Sequence, residues 1–468
     1  DLVTNNNRLA DAIKLLSEKH NVQFNRRYTP NSSSSKSIKY NFYKLLPYQF
    51  QALLWYIYYI IYRWPLRFSG LNEWKSTKGK ITFISYLFNL VPESLPKSNY
   101  QSRYWANLPD ILQNKKIITN WLHLYIKDPI LSSPREASNI INRFNQNSSR
   151  NQNHTTLDTF LSLKVIYRTI LDWLHIAKIG RRLKNIKPND FPGNEYLWPM
   201  LYNDLNESFF GRTALKNILS INLFHDALRI LPSQKKGIYL QENQGWEFGL
   251  IQAWKSAGHG NLIGIPHSTV RFWDLRYFFD PRSYIDSLGR IPRPDFVAVN
   301  GLSAKERFLD GGYPQKELIE VEALRYLDLK FLFERKSLKT KEQINNIIKI
   351  LVLGDYQSDI TKNQINILQN AYPYFDRDIH ITVKPHPNYF INPNDYPNLK
   401  METTMEPLGS ILFKFNIAYT SSVTSAALEA YCSGLRVITL LDSDLLNLSP
   451  LREQKDVDFI SNSNDLIK

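Results

Sequence analysis

Cysteine is almost absent from this chain of 468 residues: Cys432 stands alone, and no disulfide can staple the fold from within. That usage fits a reducing compartment. No zinc-ligand spacing, arginine-rich segment or RNA-binding signature occurs, so nucleic acid is set aside as a partner. No repeat of solenoid period is found. No secretory leader is read, and because the chain starts at Asp1 rather than Met, upstream sequence is expected to be missing. Long apolar runs are also lacking. The nearest is 45–66, which holds two Gln, an Arg, two Pro and five Tyr, too polar for a comfortable membrane span. It is expected to form a buried or interfacial aromatic helix, with 49–64 as core.

What is present is apolar and basic. Hydrophobic residues make up 43% and aromatic residues 13%, enough for two sizeable cores, and the formal charge of +15 suits an anionic substrate or an anionic lipid surface. A helical pattern near the start (Leu9, Ile13, Leu16) runs into the serine cluster 32–35, expected as a loop. Residues 80–90 and 120–126 read as strands, the Asn/Ser-rich 145–156 as an exposed loop, and 157–179 as an amphipathic helix with Leu161, Val165, Ile170 and Leu174 on nearby turns.

From residue 237 the pattern becomes regular. Strands are expected at 237–240, 261–265 and 296–299, with helices at 246–257 and from Ser303. A second series has strands at 348–353, 379–383, 417–419 and 436–441, with helices at about 360–371 and after the serine pair Ser421-Ser422. Such alternation predicts an α/β fold: two Rossmann-like, doubly wound domains facing a cleft, with extra N-terminal helices. The expected domains are 1–325, for the acceptor, and 326–468, for the nucleotide.

Ligands of open parallel sheets bind beyond the carboxyl ends of the strands. In the second series those ends carry Gly354-Asp355, then Lys384-Pro-His386-Pro387, then Ser421-Ser422. His386 can donate to a phosphate oxygen, Pro387 fixes the turn, and Lys384 adds charge. The serines, placed at a helix start, offer hydroxyls and free N–H groups to an anion; the alternative is a plain N-cap. Glu429 on that helix is a candidate for ribose hydroxyls or a solvated residue. Asp442-Ser-Asp444 is the nearest approach to a metal-binding Asp-X-Asp and reads as a turn, so no metal and no cofactor are expected.

In the first series Glu242, just after a strand, could take a proton from an acceptor hydroxyl, or serve an ion pair or cap. His267 is the competing base or a core histidine. Asn243, Ser268, Thr269, Arg271, Asp274 and Arg276 complete the candidate acceptor side. The two arginines would clamp a sugar carboxylate or form ion pairs.

The Lys384-Pro-His386-Pro387 and Ser421-Ser422 elements resemble the His-Pro and Ser-Ser motifs of bacterial sialyltransferases and capsule Kdo transferases. The segments 239–247 and 264–277 are similar to bacterial surface-carbohydrate biosynthesis proteins. The resemblance covers about 195–440; 1–190 match no named family. It implies a metal-independent GT-B glycosyltransferase that moves an ulosonic acid from a CMP donor to a surface polysaccharide or glycolipid. His386 would contact the CMP phosphate as acid, and Ser421 and Ser422 would bind it. The acidic motif that carries the base in some sialyltransferases is not evident, and Glu242 is its positional stand-in. The implied partners are a nucleotide sugar and a glycan acceptor, in the cytoplasm with peripheral contact at the inner membrane face. The competing readings are a CDP-glycerol-type glycerophosphotransferase, a UDP-sugar transferase or epimerase, and a catalytically silent glycan-binding subunit.

Overall fold

The computed structural model describes residues 1–28, 43, 45–147, 151–183, 193–284, 291–324, 347–387, 389–441 and 446–468. The serine cluster, the Asp442-Ser-Asp444 turn, Asn388 and the expected domain boundary after 325 lie outside them. The chain folds into two compact units, Asp1–Ser102, Pro109–Ile263 and Pro292–Asp295 in one, Arg103–Leu108, Gly264–Ile291 and Phe296–Lys468 in the other.

A short parallel pair, β1 (Leu2–Val3) and β2 (Arg26–Arg27), flanks helix α1 (Asn7–Lys19), which Asn6 caps by accepting from the N–H groups of Arg8 and Leu9. Helix α2 (Tyr48–Arg63) follows. The first large sheet holds seven strands: β3 (Ile81–Leu87), β4 (Thr119–Tyr125), β5 (Gln152–Thr156), β6 (Lys236–Gln241), β7 (Asn261–Pro266), β8 (Phe296–Val299) and β9 (Leu318–Glu320), ordered β5-β4-β3-β6-β7-β8-β9. Helices α3 (Leu163–Arg182), α4 (Arg212–Arg229) and α5 (Gly245–Ser256) belong to this part of the chain. The second sheet holds β10 (Ile348–Leu353), β11 (Ile379–Lys384), β12 (Met401–Thr403), β13 (Ile417–Ser421), β14 (Arg436–Leu440) and β15 (Asp458–Ile460), ordered β12-β11-β10-β13-β14-β15 and parallel throughout. Helix α6 (Ser358–Ala371) follows β10, and α7 (Ala426–Cys432) follows β13.

Both sheets are therefore doubly wound, as expected. In each, the chain adds strands to one side of a central strand, then crosses to its other side. The switch points lie between β3 and β6 and between β10 and β13. The inner strands are apolar on both faces, which is what helices on both sides of a parallel sheet require; in β3 every residue after Ile81 is buried. In the second sheet one apolar cluster includes Val352, Ile365, Leu368, Val383 and Tyr419, and the other Leu351, Leu353, Ala418, Ala427 and Val437.

Three expectations change in the N-terminal part. Within 145–156, residues 152–156 are not an exposed loop but the edge strand β5, with His154, Thr155 and Thr156 buried. Its polar side chains are accepted inside because each finds a partner: Asn153 Nδ2 donates to Thr77 Oγ1 (2.8 Å) and Thr155 Oγ1 to Ser69 O (2.8 Å). The helix expected from 157 begins at Leu163, capped by Ser162 Oγ accepting from Val165 N at 3.2 Å. Its buried stripe is Val165, Thr169, Trp173 and Ala177, and Leu174 faces solvent. Helix α2 is not core: it buries only Ala52 and Tyr56, while Phe50, Leu54, Ile57, Tyr58 and Ile61 are exposed. Among the described residues no helix is long and apolar enough to cross a membrane.

A pair of sealed histidines joins β4 to β5. His154 Nε2 donates to Gln152 Oε1 (3.3 Å), which leaves its Nδ1 to accept from His123 Nε2 (3.0 Å), and the two rings stack in parallel. Burial pushes His123 down to about 3, and burial with the neighbouring ring holds His154 well below its ordinary value. Protonating either would place a charge in the core. Unfolded imidazoles take up protons near pH 6.5 and these folded ones do so only far lower, so each ring withdraws stability as the pH falls below about 6.5. The expected cost at pH 5 is about 2 kcal/mol per ring. His154→Gln should flatten the decline in urea unfolding free energy between pH 7 and 5 relative to the unsubstituted protein; an identical decline would mean that the ring is not held neutral.

Candidate functional site

The register of the second sheet builds one site. Leu353, the last residue of β10, pairs with Lys384 on one side and Thr420 on the other. The next residue on each chain is Gly354, Pro385 and Ser421, so the three polar turns leave the sheet side by side. The His-Pro and Ser-Ser strands are thus not neighbours; β10 lies between them and inserts Gly354-Asp355 at the switch point. Gly354 has to be small. A Cβ there would meet Pro385 Cα at 3.1 Å and Lys384 O at 3.2 Å, against a turn held by Gly354 N donating to Lys384 O (2.9 Å).

Asp355 is the hub. It is 3% exposed, and its carboxylate accepts from Ser421 Oγ (2.5 Å) and from Gln357 N (3.0 Å). Its N–H donates to Thr361 Oγ1 (2.7 Å) and its carbonyl accepts from Tyr389 OH (2.5 Å). The Thr361 hydroxyl completes the ring by donating to the Tyr389 oxygen (2.6 Å). His386 is half-buried beside this network, edge-on to Tyr356 (centroids 5.3 Å apart) and roughly stacked on Tyr389 (6.5 Å). Burial lowers its pKa, and the negative charge of Asp355 works against that shift. His386 and Ser421 are thereby linked through one carboxylate.

The serine pair does not cap a helix. Ser421 ends β13, and α7 starts at Ala426, with Ser425 as an N-cap that makes no side-chain bond. The 422–425 turn separates the two, and the Ser421 hydroxyl is committed to Asp355. Ser421 and Ser422 are both buried. Burial lowers the Lys384 ammonium, opposed by the charges of Glu406 and Glu429, and Lys384 Nζ donates to Glu406 O (2.5 Å). Glu429 therefore faces Lys384. Pro387 is exposed at the rim. Thr361 and Tyr389 carry no sequence signal of their own beyond position: Tyr389 follows His386 by one turn, and its N–H donates to His386 O at 3.2 Å.

The first sheet carries a second cluster at its own switch point. Glu242 follows β6 and accepts from Tyr86 OH at the end of β3 (3.3 Å) and from Gln244 Nε2 (2.7 Å). Asn243 takes a left-handed conformation (φ 56°), and its side-chain oxygen accepts from Gln241 Nε2 at 3.0 Å. Glu247, 1% exposed, holds this turn from below: its Oε1 accepts from Glu242 N (2.8 Å) and Gln244 N (3.0 Å). A capping box, Gln244 with Glu247, was the sequence signal for it.

The remaining candidates lie on the 267–276 loop. His267 meets the Tyr104 ring edge-on (4.6 Å), and Ser268, Thr269 and Arg271 are half-buried. Arg276 grips Asp274 with both arms of its fork, Nε to Oδ1 at 2.9 Å and Nη2 to Oδ2 at 2.7 Å. This pair is local to the loop.

No protein-family model matches the sequence, and no curated protein matches it. Among solved structures, the chain is similar to UDP-GlcNAc 2-epimerase from Neisseria meningitidis bound to UDP-GlcNAc, at 13% identity and TM-score 0.43 over 83% of this chain and 88% of that one. It is similar to the apo form of the lipopolysaccharide outer core galactosyltransferase WaaB, at 10% identity and TM-score 0.40 over 83% and 88%. A glycosyltransferase from Rickettsia africae shares 9% identity at TM-score 0.39 over 82% and 85%. With TM-scores below 0.5, the activity has to be argued from the residues.

Glu247 gives a direct test of the first cluster. Burial raises it to about 7, against the pull of its backbone donors. A carboxyl raised in the folded state supports folding at low pH and loses that support as the pH rises from about 4.5 through 7. Glu247→Gln keeps the acceptor oxygen without the charge. It should raise the urea unfolding free energy at pH 8, by at most about 3 kcal/mol, and give no gain at pH 5. Equal effects at both values would mean that the buried carboxyl does not titrate in this range.

Proposed function

We propose that the chain is a GT-B glycosyltransferase that moves an acidic sugar, such as Kdo, a sialic acid or a related ulosonic acid, from a CMP donor to a surface polysaccharide or glycolipid acceptor. The observation that carries this is the grouping of Lys384, His386, Asp355 and the serine pair on three adjacent strand exits at a switch point, the place where open parallel sheets bind nucleotides. Residues 326–468 are the proposed nucleotide domain and 1–325 the acceptor domain.

In this reading the donor's bond between the anomeric carbon and the CMP phosphate oxygen breaks as the acceptor hydroxyl oxygen bonds to that carbon. His386 donates a hydrogen bond to the phosphate, and Lys384 supplies positive charge. A bound phosphate offsets the burial that depresses His386, so that a larger fraction of the rings carries the proton that passes to the departing CMP. Ser421 spends its proton on Asp355, so its work is to fix the carboxylate that supports His386; Ser422 lies at the phosphate. Glu242 or His267 receives the acceptor proton. A glycolipid or lipid-linked acceptor would bring the protein to the inner face of the cytoplasmic membrane, and the basic charge of the chain supports that reading.

A thermal-shift panel of CMP, CDP, UDP and GDP tests the donor. Stabilisation by CMP above the others is expected, about 2.7 kcal/mol at one hundred times its Kd. His386→Ala and Ser421→Ala should each reduce it. A shift with UDP alone would make the donor a UDP-sugar, a preference for CDP would favour glycerophosphate transfer, and no shift with any nucleotide would leave a glycan-binding subunit.

A further inference from the structure

The outer faces of α2 and α3 present more apolar surface than a solvated helix pair needs. The helices meet where Tyr56 OH donates to Ile166 O (3.0 Å), and both pack on α4. Their inner faces are therefore already occupied. On the outside, Leu54 (51% exposed), Ile57 and Ile61 (70%) line α2 at spacings of three and four, while Leu163 (73%), Tyr167 (67%) and Leu171 line α3 at spacings of four. Such spacing makes one stripe per helix. Isolated exposed apolar residues are ordinary; a stripe on each of two contacting helices marks an interaction surface.

The charge around the stripes says what fits them. α2 contains no acidic residue, and its one cation, Arg63, is turned inward to Asp158 (3.0 Å). α3 contains Lys164, Lys178, Arg181 and Arg182, besides Arg168, which pairs with Asp226 (3.1 Å), against a single acid, Asp172, whose carboxylate accepts from Asn222 Nδ2 at 2.9 Å. Lys178, Arg181 and Arg182 are exposed on the last turns. A second copy of a chain bearing +15 would bring like charges together around this face. A bilayer with anionic headgroups satisfies both parts, taking the apolar stripes at the acyl boundary and the cations at the headgroups.

We propose that the α2–α3 face docks the protein on an anionic lipid bilayer, lying in the interface without crossing it. This deepens the membrane placement given above by assigning the surface, and it rests on that placement but not on the identity of the nucleotide. Lipid binding and nucleotide binding are then separable properties of one chain.

Flotation with vesicles of phosphatidylglycerol mixed with phosphatidylcholine tests it at low and high salt, with phosphatidylcholine alone as the second arm. The protein should float with the anionic vesicles, less so at high salt, and much less with phosphatidylcholine alone. Leu54→Ser/Ile57→Ser/Ile61→Ser should weaken binding about tenfold or more, and Lys178→Glu/Arg181→Glu/Arg182→Glu should remove its salt-sensitive part. The six side chains face solvent, so both variants should keep the parent's thermal midpoint and its nucleotide shift. Failure to float with anionic vesicles would overturn the proposal, as would undiminished flotation of the serine variant. A dimer in sedimentation that the serine variant converts to monomer would assign the face to a second copy. A nucleotide shift that persists when flotation fails would overturn the lipid face alone.

Discussion

A single buried carboxylate organises the second sheet's site. Asp355 receives hydrogen bonds from the Ser421 hydroxyl and the Gln357 amide, and its own backbone is tied to Thr361 and Tyr389. Burying a charge is costly unless its lone pairs are met, and here each carboxylate oxygen has a donor, Gln357 N from its own turn and Ser421 Oγ from the neighbouring strand. Loss of any one donor would leave the charge less supported and the turns after β10, β11 and β13 less fixed. His386 draws its electrostatic character from the same group: burial disfavours its cation and the Asp355 charge favours it.

The first sheet solves a similar problem differently. Its switch point also places a carboxylate beyond the central strands, where Glu242 accepts from Tyr86 and Gln244. The turn is fixed by a second carboxyl, Glu247, that binds backbone N–H groups from within. Burial raises that group to about 7, so below that pH the turn is anchored by a largely neutral carboxyl. In both sheets an acidic side chain binds backbone N–H groups of the turn after a central strand, Asp355 adding the Ser421 hydroxyl and Glu247 a second N–H.

Much of this was legible in the sequence, for a physical reason. Strands such as 350–353 and 296–299 are short, continuous apolar runs, and helices of regular length separate them; doubly wound winding leaves few other arrangements. Positions just after strands could be listed as site candidates, and Lys384, His386 and Ser421 do gather with Asp355. Strand order was not legible. Local pattern cannot say that β10 lies between β11 and β13, so Asp355 looked like a glycine-turn neighbour and not a hub. Polarity misled at β5, because Asn153, His154 and Thr155 read as solvated when their partners are distant in sequence. Apolarity misled at α2, where a hydrophobic helix looked like core; its outer face is exposed because α4 covers only one side.

The central claim is that Asp355 and an incoming phosphate act on one imidazole. NMR titration of the His386 ring protons, with and without CMP, tests it most directly. The free ring should titrate below the ordinary histidine value near 6.5, rise when CMP binds, and titrate lower still in Asp355→Asn. A midpoint unmoved by both the nucleotide and the substitution would contradict the account.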